Sequence, residues 1–403
     1  GRASVGPMSS SENARPADRR VRRMRPFGET IFATLSRLAA ETGAINLGQG
    51  FPEGQGPRSM RERAAAEALD GDNQYAPLPG TPALREAICA ERERRTGQAY
   101  DPVSECLVTV GATEAIAAAV LGLLEPGRTA LLIEPFYDSN RAAVALAGGR
   151  HETVSLVPDS GGFRLDTDAL ERVGDVDLIV LNTPHNPTGK ILREEELAAI
   201  ADVAKDRDAI VVADEVYERL AFAGPGHQSI AALPDMRERT LVVSSAGKTF
   251  NATGWKTGWA LGPSDLIEAV RTVKQFLTFV GTTPVQPAVA HALNNEDAWV
   301  EGLRGELAGN EAALAAALKE SGARVYRAEA GYFLTADISP WGLGDATQAA
   351  RLLPEKAGVV AVPVSAFVDD PEDPRYRNLL RFGFSKSPDT IAEAAERLAH
   401  ALG

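Results

Sequence analysis

From Ile45 onward, short apolar, β-branched runs alternate with longer windows whose apolar residues recur at helical spacing. Leu107 to Val110, Ala130 to Ile133, Leu178 to Asn182, Ala209 to Asp214 and Leu241 to Ser244 are the clearest strands. Runs this apolar belong to strands covered on both faces, as in a parallel sheet flanked by helices. The windows between them carry helix punctuation. Thr81-Pro82 offers an N-cap and a first-turn proline, and Gly97 marks the stop. Glu194 to Lys205 opens with acids, which the positive end of the helix dipole favours. This alternation predicts an α/β fold with a mostly parallel sheet. After about Pro287 the pattern changes to long Ala/Leu/Glu helices, Asp297 to Lys319 and Pro388 to Leu402, with short strands between them. That change predicts a second, smaller α+β domain.

Composition narrows the function. Of 403 residues, 44% are apolar and 24% charged, which fits neither a disordered nor a fibrous chain. The 42 basic and 55 acidic side chains leave a formal charge of -13, so a nucleic-acid backbone is repelled on average. Cys89 and Cys106 are too few for a disulfide framework. The 5 histidines never cluster at metal-ligand spacing, so no metal site is expected. The longest apolar stretch, Ala115 to Leu124, is about half a membrane span, and the expected location is cytoplasmic. Residues 1 to 25 stand apart, with Arg15, Arg19, Arg20, Arg22, Arg23 and Arg25, and read as a flexible Arg-rich tail.

Candidate chemistry gathers where predicted strands end, the place where open α/β sheets bind ligands. Val110-Gly111-Ala112-Thr113-Glu114 turns a strand into a helix, and by itself reads either as an anion cradle of free N–H groups or as a packing glycine at the turn. Glu134-Pro135-Phe136-Tyr137-Asp138 sets two aromatics after another strand, where a flat ring stacks well. Asn182-Thr183-Pro184-His185-Asn186-Pro187-Thr188-Gly189 makes a stiff turn that aims Asn186 inward; His185 reads as structural. In Asp214-Glu215-Val216-Tyr217, a carboxylate ends a buried strand, where it needs either a cation or a helix to cap. Ser244-Ser245-Ala246-Gly247-Lys248-Thr249 places a lysine among small and hydroxyl residues, where a partly desolvated amine forms a Schiff base. Lys256 follows eight positions later, within reach of a phosphate.

Together, in this order and spacing, the five motifs resemble the fold-type I, class I/II pyridoxal-phosphate aminotransferases, from about Phe32 to the C-terminus. Chance agreement of one motif is common; of five in order it is negligible. Asn46-Leu47-Gly48-Gln49-Gly50-Phe51-Pro52 and Asn73-Gln74-Tyr75 place the resemblance in the branch of kynurenine aminotransferase/cysteine-conjugate β-lyase and N-succinyldiaminopimelate aminotransferase. The resemblance implies a three-layer αβα large domain over residues 53 to 290, with a small domain over 291 to 403. Residues 26 to 52 would pack on the small domain. It implies pyridoxal 5′-phosphate on Lys248, which also acts as the base at the substrate Cα. Asp214 pairs with the ring nitrogen, Tyr217 and Asn186 bond the ring hydroxyl, and Tyr137 stacks on the ring. Gly111, Ala112, Thr113, Ser245 and Lys256 hold the phosphate, joined by Tyr75 from a neighbouring subunit of a homodimer. Arg381 grips the substrate carboxylate, with Asn186, Gly50 and Phe32 on the substrate side.

The implied reaction moves the amino group of an L-amino acid to a 2-oxo acid. The alternative is elimination or replacement at Cβ or Cγ with the same cofactor. A DNA-binding regulator is disfavoured, because only about 30 residues precede the matching region. The chain departs from its relatives in reading Ala330-Gly331-Tyr332-Phe333 where they read Gly-Ser/Thr-Tyr-Phe, and Asn140 where they tend to carry Tyr. Both departures read either as neutral drift on a loop or as a changed substrate pocket, and both are expected to leave the Lys248 machinery untouched.

Overall fold

All five predicted strands form, and three others join them in one eight-stranded sheet. In chain order its members are Cys106–Val110 (β1), Thr129–Glu134 (β2), Arg150–Asp159 (β3), Gly162–Leu165 (β4), Leu178–Asn182 (β5), Ile210–Asp214 (β6), Thr240–Ser245 (β7) and Thr257–Leu261 (β8). The computed structural model describes residues 18–403. Across the sheet the order is β1-β8-β7-β6-β5-β2-β3-β4. The central pairs β7·β6, β6·β5, β5·β2 and β2·β3 are parallel, while β8 runs antiparallel to both neighbours. The mostly parallel α/β sheet expected from the sequence is therefore present.

Register decides which side chains meet. Asn182 pairs with Asp214, Asp214 with Val243, and Ser245 with Gly258. The polar ends of three separate motifs thus lie side by side at the carboxyl edge. Strand β8 escaped the sequence reading because its Gly254-to-Gly258 lead-in has the composition of a loop. A Cβ on Gly258 would lie 2.6 Å from the carbonyl carbon of Gly111, so only glycine lets β8 pass this close to the helix start.

Helix ends follow their sequence signals. The Thr81 hydroxyl accepts from Leu84 N at 3.3 Å to start Pro82–Thr96, and Gly97 closes that helix at φ 73°. Glu196 in the first turn of Glu194–Asp206 accepts from Arg193 N at 2.8 Å. Helix Gly111–Leu123 packs against Ser264–Lys274 beneath the sheet.

A second, antiparallel sheet contains Arg324–Tyr326 (β9), Phe333–Asp337 (β10), Val362–Pro363 (β11) and Leu379–Gly383 (β12), in the order β9-β10-β12-β11. The long helix Asp297–Glu320 and the last helix Pro388–Leu402 pack against each other beside it. Ile45–Asn46 pairs in parallel with Val359–Val360, and Gly383 N donates to Leu47 O at 2.6 Å. These bonds fasten the segment Leu47 to Gly50 beside β12. Residues 1–17 of the expected tail lie outside the described residues. The structured chain begins earlier than Pro26, since Arg22–Met24 form a 3₁₀ turn and Arg141 lies 5.1 Å above the Phe27 ring. No helix among the described residues is long and apolar enough to cross a membrane.

Candidate active site

One cavity of about 590 Å³ opens between the carboxyl edge of the large sheet and β12. Its lining includes every site residue read from the sequence except Tyr75. Four neighbouring strand ends, a helix start and the small sheet converge there, although their residues are far apart in the chain.

The helix beginning at Gly111 supplies one wall. Gly111 has φ 74°, and a Cβ there would lie 2.7 Å from Lys256 Nζ. Lys256 itself adopts a left-handed backbone, φ 47°, which brings its amine against the helix start. Free N–H groups, the hydroxyls of Thr113 and Ser245 and one ammonium therefore surround an anion-sized recess. The Ser245 hydroxyl is already engaged with Gly247 N at 2.9 Å.

Asp214 and Lys248 form the charged floor. Burial pushes the Asp214 carboxyl up to about 6, against the opposing pull of Val216 N–H and Lys248. Burial likewise pushes the Lys248 amine down to about 8, opposed by Asp214. The amine is thus a far better nucleophile near neutral pH than an exposed lysine. This has a thermodynamic consequence in the unliganded protein. The folded amine releases its proton near 8 and the unfolded one near 10.5. Between those values the unfolded chain binds more protons, so stability rises with pH. Urea midpoints of the unliganded protein at pH 8 and pH 10 should show this gain, and Lys248→Met should lose it. Equal pH slopes for the two proteins would contradict the lowered proton affinity of the folded amine.

Arg381 crosses the cavity from β12. Its Nη1 donates to Asn186 Oδ1 at 3.0 Å and its Nη2 to Gly48 O. Rings of Phe333, Phe367 and Phe32 surround the guanidinium at 3.8, 4.8 and 5.4 Å. Burial lowers its pKa to about 10, so it stays cationic at neutral pH. Its Nε has no partner among the described residues. Tyr217 is buried below, and burial raises its phenol above the usual range. Tyr137 stands at the rim, 37% exposed.

Other placements refine the sequence reading. His185 is buried, with Nδ1 2.7 Å from Thr188 Oγ1 and Nε2 2.8 Å from Pro135 O; burial takes it down to about 3. It is a structural histidine, as expected. Tyr75 lies outside the cavity of its own chain, 81% exposed and edge-on to Phe279 at 5.4 Å. Asn140 is buried in helix Asp138–Leu146 and does not line the cavity. The expectation that Gly331 leaves the lysine machinery untouched is corrected. At φ 80°, a Cβ on Gly331 would lie 3.3 Å from the Tyr217 ring, and the adjacent Tyr332 hydroxyl donates to Lys248 O at 3.1 Å.

Two contributors were missed. Asn182 Nδ2 donates to Asp214 O at 3.0 Å, while its Oδ1 accepts from Asn186 N at 2.8 Å, locking two strand ends together. Phe333 stacks on Arg381. Asn182 stood inside a motif already singled out, but only the register shows that its amide spans to the next strand.

The chain belongs to the aminotransferases of class I and II, whose family model matches residues 42–398. That family uses pyridoxal phosphate, and this protein is an aminotransferase. It is 51% identical over 387 residues to the probable N-succinyldiaminopimelate aminotransferase DapC of Mycobacterium tuberculosis, covering 94% of this chain and 98% of that protein. It is 39% identical over 374 residues to the methionine aminotransferase of Escherichia coli, covering 92% and 96%. The solved structure of N-succinyldiaminopimelate aminotransferase from Mycobacterium tuberculosis superposes with a TM-score of 0.92 at 52% identity, covering 95% of this chain and 100% of that one.

Proposed function

We propose that the cavity binds pyridoxal 5′-phosphate on Lys248 and that the enzyme transaminates an N-succinyldiaminopimelate-like amino acid. One observation carries the cofactor reading: Asp214 and Arg381, buried on strands of two different sheets, and Lys248, on the short helix Ala246–Thr249, all face one cavity. A buried acid that holds its proton up to about 6 and an amine that sheds one near 8 fit a group offering a ring cation and an aldehyde. When bound, the cofactor supplies an electron sink and carries the amino group between substrates.

The protein's own groups do the rest. Gly111, Ala112, Thr113, Ser245 and Lys256 hold the phosphate. Asp214 would keep a negative charge against the ring nitrogen, Tyr217 and Asn186 would donate to the ring hydroxyl, and Tyr137 would stack on the ring, all from positions that line the cavity. Arg381 clamps the substrate carboxylate with Asn186 beside it, while Gly50 and Phe32 bound the side-chain space. That clamp would fix which bond at Cα stands ready to break, and the Lys248 amine would take that proton and return it. The substrate assignment draws on the 51% identity across 94% of the chain. We place the division between the large and small domains near residue 290, between the last strand of the large sheet, Thr257–Leu261, and the first of the small one, Arg324–Tyr326.

The test is a comparison of kcat/KM for N-succinyl-diaminopimelate, methionine and kynurenine with a 2-oxo acid acceptor. The succinylated donor should lead by at least about tenfold, the value of 1.4 kcal/mol of added recognition. A lead for methionine or kynurenine, or no conversion of any of the three, removes the substrate assignment, and a purified protein that takes up no pyridoxal 5′-phosphate removes the cofactor reading.

We also propose a homodimer in which Tyr75 completes the partner's phosphate site. Tyr75, Phe276, Leu277 and Phe279 are 81%, 79%, 53% and 42% exposed, an apolar patch that a second copy would cover. Sedimentation should give twice the 42.7 kDa chain mass. Phe276→Glu should yield monomers with weakened cofactor retention. A fully active monomer would refute the shared site.

A further inference from the structure

Behind the cavity floor lies a second set of buried charges that the proposed chemistry does not use. Asp214 lines the cavity; the next residue, Glu215, does not, and it is fully buried. Arg92 Nη1 donates to Glu215 Oε2 at 3.0 Å and to Glu218 Oε2 at 2.6 Å. Ser229 Oγ donates to Glu215 Oε1 at 2.5 Å, and His227 Nε2 lies 3.1 Å from Glu215 Oε2. Farther out, Arg95 meets Glu218 at 2.6 Å and Glu91 at 2.9 Å, and Arg219 meets Glu91 at 3.3 Å.

Glu215, Glu218 and His227 bring potential metal-ligand atoms within 4.8 Å of one another. Arg92 already bridges the two carboxylates, and Glu91, Glu215 and Glu218 are balanced by Arg92, Arg95 and Arg219. Arg219 also meets Asp297 at 2.7 Å, so the cluster is an ion-pair network in which each carboxylate already faces a guanidinium and none is left free for a divalent cation. A network like this is a poor way to gain stability, because desolvation offsets most of the attraction. Its placement offers a better reason for it. Glu215 N donates to Val243 O at 2.8 Å, which fixes this carboxylate at the end of the strand that carries Asp214.

We propose that Glu215, kept ionised by Arg92, is a positioning residue whose fixed negative charge sets how strongly Asp214 and its ring partner hold a proton. This rests on the reading of Asp214 as the partner of the cofactor's ring nitrogen. Burial alone would raise the Glu215 carboxyl; Arg92, His227 and Ser229 hold it well below the usual carboxylate range. Glu215 in turn adds to the upward shift of Asp214. The charged and titratable groups around Glu215 are Arg92 and Arg95 from helix Pro82–Thr96, Tyr100 beyond it, Glu218 from the next turn and His227 from the following loop. Around Asp214 they are Lys248, Tyr217 and Tyr137.

The test uses the cofactor-loaded protein and reads the pH midpoint of its visible absorbance, which follows a proton at the Lys248 linkage. Removing a negative charge disfavours that proton, so Glu215→Gln should lower the midpoint by about one pH unit. Arg92→Gln exposes the carboxylates and should raise it by a similar amount. The double variant should return close to the wild type, as expected of coupled partners. Arg92→Lys keeps the charge and should leave the midpoint in place, so the test stands even if Arg92→Gln fails to fold. A merely structural cluster would weaken cofactor retention in every variant while leaving the midpoint still, or would shift both single variants the same way. Either result overturns the proposal. A wild type with no visible band overturns the cofactor reading and this inference with it, whereas a wild-type band that does not change with pH, or whose midpoint the variants leave unmoved, overturns this inference alone.

Discussion

Lys248→Ala should lower kcat by at least about a thousandfold, the usual worth of a nucleophile and proton carrier combined. No neighbour can take over. Lys256 is held by its left-handed backbone against Gly111, on the anion side of the cavity. His185 is buried, bonded at both ring nitrogens and shifted down to about 3, so it neither gives nor takes a proton near neutrality. Tyr217 and Tyr332 are phenols that burial holds protonated. The protein itself should stay folded, because the substitution removes a buried amine whose charge is already disfavoured. Single-turnover absorbance with a good donor would measure the loss of the proton-transfer step, and circular dichroism would confirm the fold. A small primary amine added to the variant should restore part of the rate by entering the vacated space. If the variant keeps more than a tenth of wild-type turnover, Lys248 is not the reacting group.

How far such a site can be read in advance depends on what fixes each contact. The motif around Lys248 was legible because its chemistry is local: a strand end, small neighbours and one amine. Asp214 was legible for a similar reason, since a carboxylate ending a β-branched strand stands out. The bond between Asn182 and Asp214 was not, because it depends on which strands are neighbours and in what register. Strand β8 was hidden by its glycines, whose purpose appears only when the backbone of Gly111 is seen against Gly258. The Gly331 departure looked remote from the lysine in the linear sequence, and tertiary packing set it against Tyr217. The aromatic enclosure of Arg381 draws on Phe32, Phe333 and Phe367, from three regions of the chain, and no periodicity connects them.

That enclosure makes Arg381→Lys the second variant with a large expected effect. A guanidinium is planar, so it can lie against Phe333 at 3.8 Å while its two outer nitrogens bond Asn186 and Gly48. A lysine ammonium is a strongly hydrated point charge that stacks on no ring and offers no fork to a carboxylate. Losing a bidentate, charge-assisted contact in a buried site costs about 2–3 kcal/mol, so KM should rise by about a hundredfold. The loss should be nearly equal for the amino donor and the 2-oxo acceptor, because both present the same carboxylate to the same group. kcat should fall as well, since a loosely held carboxylate no longer keeps the reacting bond aligned. A donor lacking the carboxylate should react equally poorly with both proteins, which separates a lost clamp from general damage to the cavity. Steady-state kinetics with both substrates would check this. A KM change below threefold for either partner would mean that the carboxylate is held elsewhere, and that Arg381 serves chiefly to tie Asn186 to the Gly48 segment.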